Sequence, residues 1–267
     1  IPPYADSFYI EAIGSGGGGA SGRYFGTLGS GGGGGSGVYA SWLIRRAELG
    51  SASTMTVTVG SGGVGGNSRG MSISTDGQTW EAVGSGFGGS TIYSLIYQNN
   101  LYVAGGVGGT LTTSTDGIVW TQKTSGFGGS SINAFTYANN LYVAGGISGT
   151  LTTSTDTIVW TYRTSGFGTT IIYSLTYGNN LYVAGGLSGT LTTSTDSIVW
   201  TQRTSGFGTS TVLNIVYDNT SYLAGGSGGI LAISTDTISW TRRTSGFGTT
   251  QINTITYANN LYVAGGL

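Results

Sequence analysis

Trp80, Trp120, Trp160, Trp200 and Trp240 lie 40 residues apart, and Asp76, Asp116, Asp156, Asp196 and Asp236 keep the same interval. The loop "SGFG" recurs in register with them and carries Phe87, Phe127, Phe167, Phe207 and Phe247. A period of this length marks a supersecondary unit that buries its apolar faces against its neighbours, so the chain from about residue 68 onward has to be an array of such units.

Within one unit the apolar period is two. "IIYSLTY" (171–177), "LYVAGG" (181–186), "GTLTTST" (189–195) and "IVWTQRT" (198–204) are short, rich in β-branched and aromatic residues, and bounded by Gly or Asn. Four antiparallel strands in 40 residues are the size of one propeller blade. The Asn179-Asn180 pair suits a two-residue hairpin, because Asn tolerates the positive φ of a type I′ turn. The expected architecture is all-β: a five-bladed β-propeller over residues 67–267. One blade is shared, with residues 251–267 supplying two strands and residues 69–83 the other two, so that the joined ends close the ring and leave no free sheet edge.

Residues 1–66 differ in kind. The runs "GSGGGGASG" and "GSGGGGGSG" alternate with the strand-like pieces "SFYIEAI", "YFGTL", "YASWLI" and "TMTVTVG". Two readings stand open, a flexible linker or a small glycine-rich β domain. The second is preferred because strand-like pieces flank the glycine runs on both sides. The opening "IPPYADSFYIEAIG" has neither the basic stretch nor the long apolar core of a signal peptide, and is expected to be the remnant of a longer or processed chain.

Only 7% of the residues are charged, the formal net charge is −1, and the chain has 53 Gly, no His and no Cys. Without a basic patch, nucleic acid is not an expected partner. The absence of His and Cys removes the usual nucleophile–base pairs and the commonest metal ligands, so no metal and no cofactor is expected. No apolar run reaches the roughly 18 residues of a membrane span, so insertion is not expected.

"STDGQTW" (74–80), "STDGIVW" (114–120) and "STDTIVW" (154–160) resemble the Asp-box hairpin of sialidase-type propellers. Here three residues separate Asp from Trp where the family pattern has four, and Gly follows Asp in only two copies. The resemblance implies a structural role, with each Asp holding its turn and each Trp packing between sheets. The N-terminal runs, followed by "VTVGSGGVGG" (57–66), resemble the glycine-rich domains of bacteriophage tail-fibre and adhesin proteins. That resemblance implies an appendage protein at a virion surface or outside a cell, attached through residues 1–66 to other fibre or virion proteins, with a homotrimer as one candidate assembly.

The acids do not suggest catalysis, since glycan hydrolysis needs two carboxyls facing one bond and the Asp-box aspartates fall on separate blades. Lys123, Arg163, Arg203 and Arg243 recur three residues after each Trp and are expected to form a solvated ring or to partner neighbouring groups rather than to make a substrate clamp. Copies diverge most where the first strand begins, at Tyr93, Asn133 and Tyr173 among others. The expected function is therefore non-enzymatic binding of host surface carbohydrate. A spacer or decoration protein and a glycan-cleaving enzyme are the alternatives. The "SGFG" loop and the turn holding Ser148 and Ser188 are expected to meet on one face. There the five Phe residues act either as sugar platforms beside the two serines or as plugs between blades.

Overall fold

The structure, a computed structural model, describes residues 71–267 and, before them, the backbone of the short strands β1 (Ser7–Ile13), β2 (Arg23–Tyr24), β3 (Thr27–Leu28) and β4 (Tyr39–Arg45). The chain divides into two compact units, Ile1–Ser68 and Arg69–Leu267. In the first, β1 pairs antiparallel with β4 from Ser7↔Arg45 to Ile13↔Tyr39, and β2 pairs with β3. The strand expected in "TMTVTVG" and both glycine runs lie outside the described residues.

The second unit opens with a hairpin, β5 (Met71–Ile73) and β6 (Glu81–Val83). Four complete four-stranded antiparallel sheets follow. They comprise β7 (Ile92–Gln98), β8 (Leu101–Gly106), β9 (Leu111–Ser114) and β10 (Thr121–Lys123); then β11 (Ile132–Ala138), β12 (Leu141–Gly146), β13 (Thr150–Ser154) and β14 (Thr161–Thr164). The third has β15 (Ile172–Gly178), β16 (Leu181–Gly186), β17 (Thr190–Ser194) and β18 (Thr201–Thr204), and the fourth β19 (Val212–Tyr217), β20 (Tyr222–Gly226), β21 (Leu231–Ser234) and β22 (Thr241–Arg243). A last hairpin joins β23 (Ile252–Ala258) to β24 (Leu261–Gly266).

Each sheet is a simple meander, because Asn-Asn and Asp-containing turns return the chain at once. Both asparagines of a pair take positive φ, 52° and 58° at Asn139 and Asn140, which a two-residue hairpin needs so that its twist matches that of the strands. Every first strand carries a bulge near its start, between Ile132 and Ala134 in β11 and at the matching point in β7, β15, β19 and β23.

Successive sheets pack face to face through their first two strands. Ile172 and Leu175 of β15 press onto Gly145 of β12, where a Cβ would lie 2.8 Å from Ile172 Cγ2 and 3.1 Å from Leu175 Cδ1. "VAGG" is thus an apolar wall without bulk, and the β-branched and leucine side chains of the next sheet fill it. Val143, Leu151, Ile172 and Leu175 form one such buried cluster, with Tyr182 and Phe167 beside them. Interdigitation of this kind supplies most of the favourable free energy of a stacked β array.

Among the described residues β5–β6 and β23–β24 are two separate two-stranded sheets, not hydrogen-bonded into the expected shared blade, so the sheets are not closed into a ring. The two end faces accordingly lack the neighbour that internal faces have. Leu95 is 53% exposed where its counterpart Leu175 is 8%, and Val263 is 55% exposed where Val183 is fully buried.

Candidate functional site

The loop between one sheet and the next is built by a serine and a phenylalanine. Ser165 Oγ donates to the Gly149 carbonyl at 2.7 Å, tying the loop to the preceding sheet, and accepts the Phe167 N–H at 3.2 Å. Ser125, Ser205 and Ser245 repeat the contact to Gly109, Gly189 and Gly229. The "SGFG" loop and the second-to-third-strand turn therefore do meet, as the strand order predicts.

The phenylalanines point inward. Phe87, Phe127, Phe167 and Phe207 are at most 4% exposed, and Phe247, in the loop before the last hairpin, is partly buried. Gly186 makes the socket for Phe167, since a Cβ there would lie 2.7 Å from Phe167 Cε1. This corrects the sugar-platform reading: a ring held in a glycine socket offers no face to a ligand, and the plug alternative describes these residues.

Ser148 and Ser188 are exposed at the tip of the adjoining turn, with φ of 59° and 56°. Gly108 and Gly228 hold the same position in other copies. A non-glycine residue in left-handed backbone carries a local cost, so these two hydroxyls are presented at some expense of stability. The turn is fixed from the start of the first strand, Ile147 N–H to Ser131 carbonyl at 3.1 Å and Leu187 N–H to Ile171 carbonyl at 2.9 Å.

Two residues beyond those carbonyls are Asn133 and Tyr173, each the extra residue of its bulge, with Tyr93 at the same point of β7. Bulges re-aim a side chain, and here they do so at the positions where the copies differ. Tyr93 is about half exposed, Asn133 and Tyr173 are half-buried, and Asn133 Nδ2 donates to the Ile172 carbonyl of the next sheet at 2.9 Å. The structure thus gathers Ser148 with Asn133 and Ser188 with Tyr173 at one end of their sheets.

The aspartates are spent on their own turns. Asp156 Oδ1 accepts the N–H groups of Ile158 and Val159 at 2.8 and 3.0 Å and the Ser154 hydroxyl at 3.0 Å, while Trp160 Nε1 donates to the Thr157 carbonyl. Asp76, Asp116, Asp196 and Asp236 repeat the pattern. Backbone N–H donors, foremost that of the residue just before each Trp, hold all five carboxyls below the usual carboxylate range. Trp200 is buried, Trp120, Trp160 and Trp240 are partly buried, and Trp80 of the first hairpin is exposed. Arg163 and Arg203 donate from Nε to Thr153 and Thr193 on the neighbouring strand at 3.0 Å.

Two features escape the sequence reading. Turn tips expose an aliphatic pair, Ile158 with Val159 and Ile198 with Val199. At the same end of the sheets, each Asn-Asn pair is joined to a tyrosine of the strand before it, as between Tyr137 Oη and Asn140 Oδ1 at 3.3 Å. Repetition of "NNLY" is the signal for the latter, masked by its simpler meaning as a turn.

The profile of the Glycine-rich domain family matches residues 1–255. The chain belongs to this glycine-rich domain family. No curated protein matches it. Among solved structures this family member is similar to YCF48 from Cyanidioschyzon merolae, with 16% identity, 72% of this chain and 69% of that one covered, and a TM-score of 0.54. It is also similar to virginiamycin B lyase from Staphylococcus aureus, with 11% identity, 64% and 61% covered, and a TM-score of 0.58. The WD40 β-propeller domain of Doa1 follows, with 11% identity, 66% and 61% covered, and a TM-score of 0.52. The chain spans less than two thirds of the lyase and WD40 chains. Over the part of the chain they cover, these likenesses show an all-β fold of four-stranded antiparallel sheets resembling a β-propeller.

Proposed function

We propose that the protein is a non-enzymatic appendage protein of the phage tail-fibre or adhesin type, exposed on a virion or outside a cell, whose propeller binds host surface glycan. The observation that carries this reading is the row of bulge residues Tyr93, Asn133 and Tyr173, set beside the left-handed Ser148 and Ser188. Phenol, amide and hydroxyl groups without formal charge suit a neutral sugar, recognised by hydrogen bonds and by contact with an aromatic ring. Aspartates occupied by their own turns, 40 residues apart, and a chain without His support binding over hydrolysis.

In the functional particle the propeller has five blades, the fifth made where β23–β24 meets β5–β6. The Asp-containing hairpins act as Asp-box turns. Residues 1–66 serve as the attachment domain to fibre or virion proteins, and the assembly is a homotrimer.

Glycan-array and host-cell binding test the reading. Wild-type protein binds and the Tyr93→Ala, Tyr173→Ala double variant loses binding while keeping its melting transition. Absence of binding to any glycan or cell favours a spacer, and release of reducing sugar overturns the non-enzymatic reading.

A further inference from the structure

The opposite end of each sheet carries a second repeated constellation. Tyr97, Tyr137, Tyr177 and Tyr257 each donate their hydroxyl to Oδ1 of the second asparagine of the following turn, at 3.1–3.4 Å. Each ring also lies against the tyrosine of the next strand, with centroids 4.4–4.7 Å apart in these sheets. That partner is itself anchored across the interface: Tyr142 Oη donates to the Gln98 carbonyl and Tyr182 Oη to the Ala138 carbonyl, both at 2.9 Å and both just before an Asn-Asn turn. The turns are thereby fixed from two sides.

The constellations of the second and third four-stranded sheets are linked directly. Asn139 Nδ2 donates to Tyr177 Oη at 2.9 Å, and Tyr177 Oη donates onward to Asn180. Among the described residues Asn140 Nδ2 and Asn139 Oδ1 have no protein partner, and both side chains are exposed. Turn geometry accounts for the first asparagine of each pair but not for the second, where glycine is the favoured residue of a type I′ turn. A chain with 53 glycines nevertheless places Asn there in four of five turns. The fifth, Asp218-Asn219-Thr220, uses its carboxylate internally, on the Thr220 and Ser221 N–H groups and on Tyr262.

We propose that this Tyr–Asn–Asn rim is a second carbohydrate-binding face, which takes a neutral polysaccharide lying across successive sheets. The inference rests on the glycan-binding reading but uses a different surface. Asn133 and Tyr137 are four residues apart along β11, about 13 Å in extended chain, with the serine turns at the near end and the rim at the far one. Rigid amides and phenols in a row offer both donors and acceptors to sugar hydroxyls without an ordering cost. Repetition along the rim favours a polymer over a single sugar, because linked weak sites gain avidity only on a repeating ligand.

The test uses dextran, mannan and galactan, each as polymer and as short oligosaccharide, against the full chain. Replacing both Asn140 and Asn180 by Gly keeps the turns, and replacing Tyr137 and Tyr177 by Phe removes only the hydroxyls. The expected result is that wild type binds at least one polymer more tightly than its oligosaccharide, and that the Gly variant binds that polymer about tenfold or more weakly while keeping a cooperative melting transition, as loss of one to two net hydrogen bonds to the ligand implies. The Phe variant weakens binding in the same direction. Unchanged polymer binding by both variants overturns the rim. If binding is lost only on Tyr93→Ala, Tyr173→Ala, the glycan-binding reading stands and the rim fails; if wild type binds no saccharide, the glycan-binding reading itself fails.

Discussion

Tyr182 donates its hydroxyl to the carbonyl of Ala138, 2.9 Å away and 44 residues earlier in the chain. Tyr142 and Tyr222 do the same to Gln98 and Gly178. Each bond crosses from the second strand of one sheet to the end of the first strand of the sheet before, and burial pushes the Tyr222 phenol up to about 12. Tyr182→Phe leaves a buried carbonyl without its donor, so a loss of about 1–3 kcal/mol is expected. Urea unfolding of the variant measures it. An unchanged midpoint would mean that water or a neighbour replaces the hydroxyl.

Phe167 fills the socket over Gly186 and is 4% exposed. Phe167→Ala should cost about 3–5 kcal/mol, the range for truncating a buried phenylalanine. Glycan binding per folded molecule should not change. A variant that melts like wild type but no longer binds cells would restore the ring to the surface.

The five turn aspartates give the fold a defined response to acid. Asp196 is held below its ordinary value of 3.8 by the Val199 N–H first, then by the Ile198 N–H and the Ser194 hydroxyl. A carboxyl whose folded value is depressed contributes stability above its unfolded value and loses it as pH falls through the folded one. Unfolding midpoints should therefore fall as pH drops below about 4. Asp156→Asn with Asp196→Asn should make that pH dependence shallower. A slope identical to wild type would count against the turn carboxylates as its origin.

Much of this was legible because period and pattern are local. Trp160 and Trp200 mark the repeat, "IIYSLTY" and "LYVAGG" read as strands, and Asn179-Asn180 as their turn, since each depends on a few adjacent residues. That the "SGFG" loop meets the turn between second and third strands followed from strand order alone, although the bond that joins them, Ser165 to Gly149, did not. The orientation of Phe167 did not, because its socket is made by Gly186, a residue distant in sequence whose contribution is a missing side chain. The bulge at Tyr173 was hidden as well: alternation continues on both sides of it, and an extra residue shows only in the pairing with β16. Ring closure lay furthest from reach, as it depends on the summed rotation of successive interfaces rather than on any segment.

Closure itself can be tested by register. β12 pairs with β13 through Tyr142↔Ser154, Val143↔Thr153, Ala144↔Thr152 and Gly145↔Leu151. Translated along the repeat, the same pairing sets Tyr262 opposite Ser74, Val263 opposite Ile73, Ala264 opposite Ser72 and Gly265 opposite Met71. A cavity of about 690 Å³ lies beside β5, lined by Met71, Ile73, Trp80, Leu95, Tyr102 and Trp120. Leu95 is the counterpart of Leu175, which in the internal interface presses onto Gly145 of a second strand. A second strand such as β24 is therefore the element that this space lacks, and burying Leu95 and Val263 together supplies a driving force of about 1.5–3 kcal/mol for each fully covered side chain. In a chain without other cysteines, Ser72→Cys combined with Ala264→Cys should form an intramolecular disulfide under mild oxidation and raise the melting temperature. The pair shifted by one residue, Ser72→Cys with Val263→Cys, should form it far more slowly, because a one-residue slip turns the side chains to opposite faces. Equal rates for the two pairs, or disulfides only between separate molecules, would show that the chain does not close on itself as a five-bladed ring.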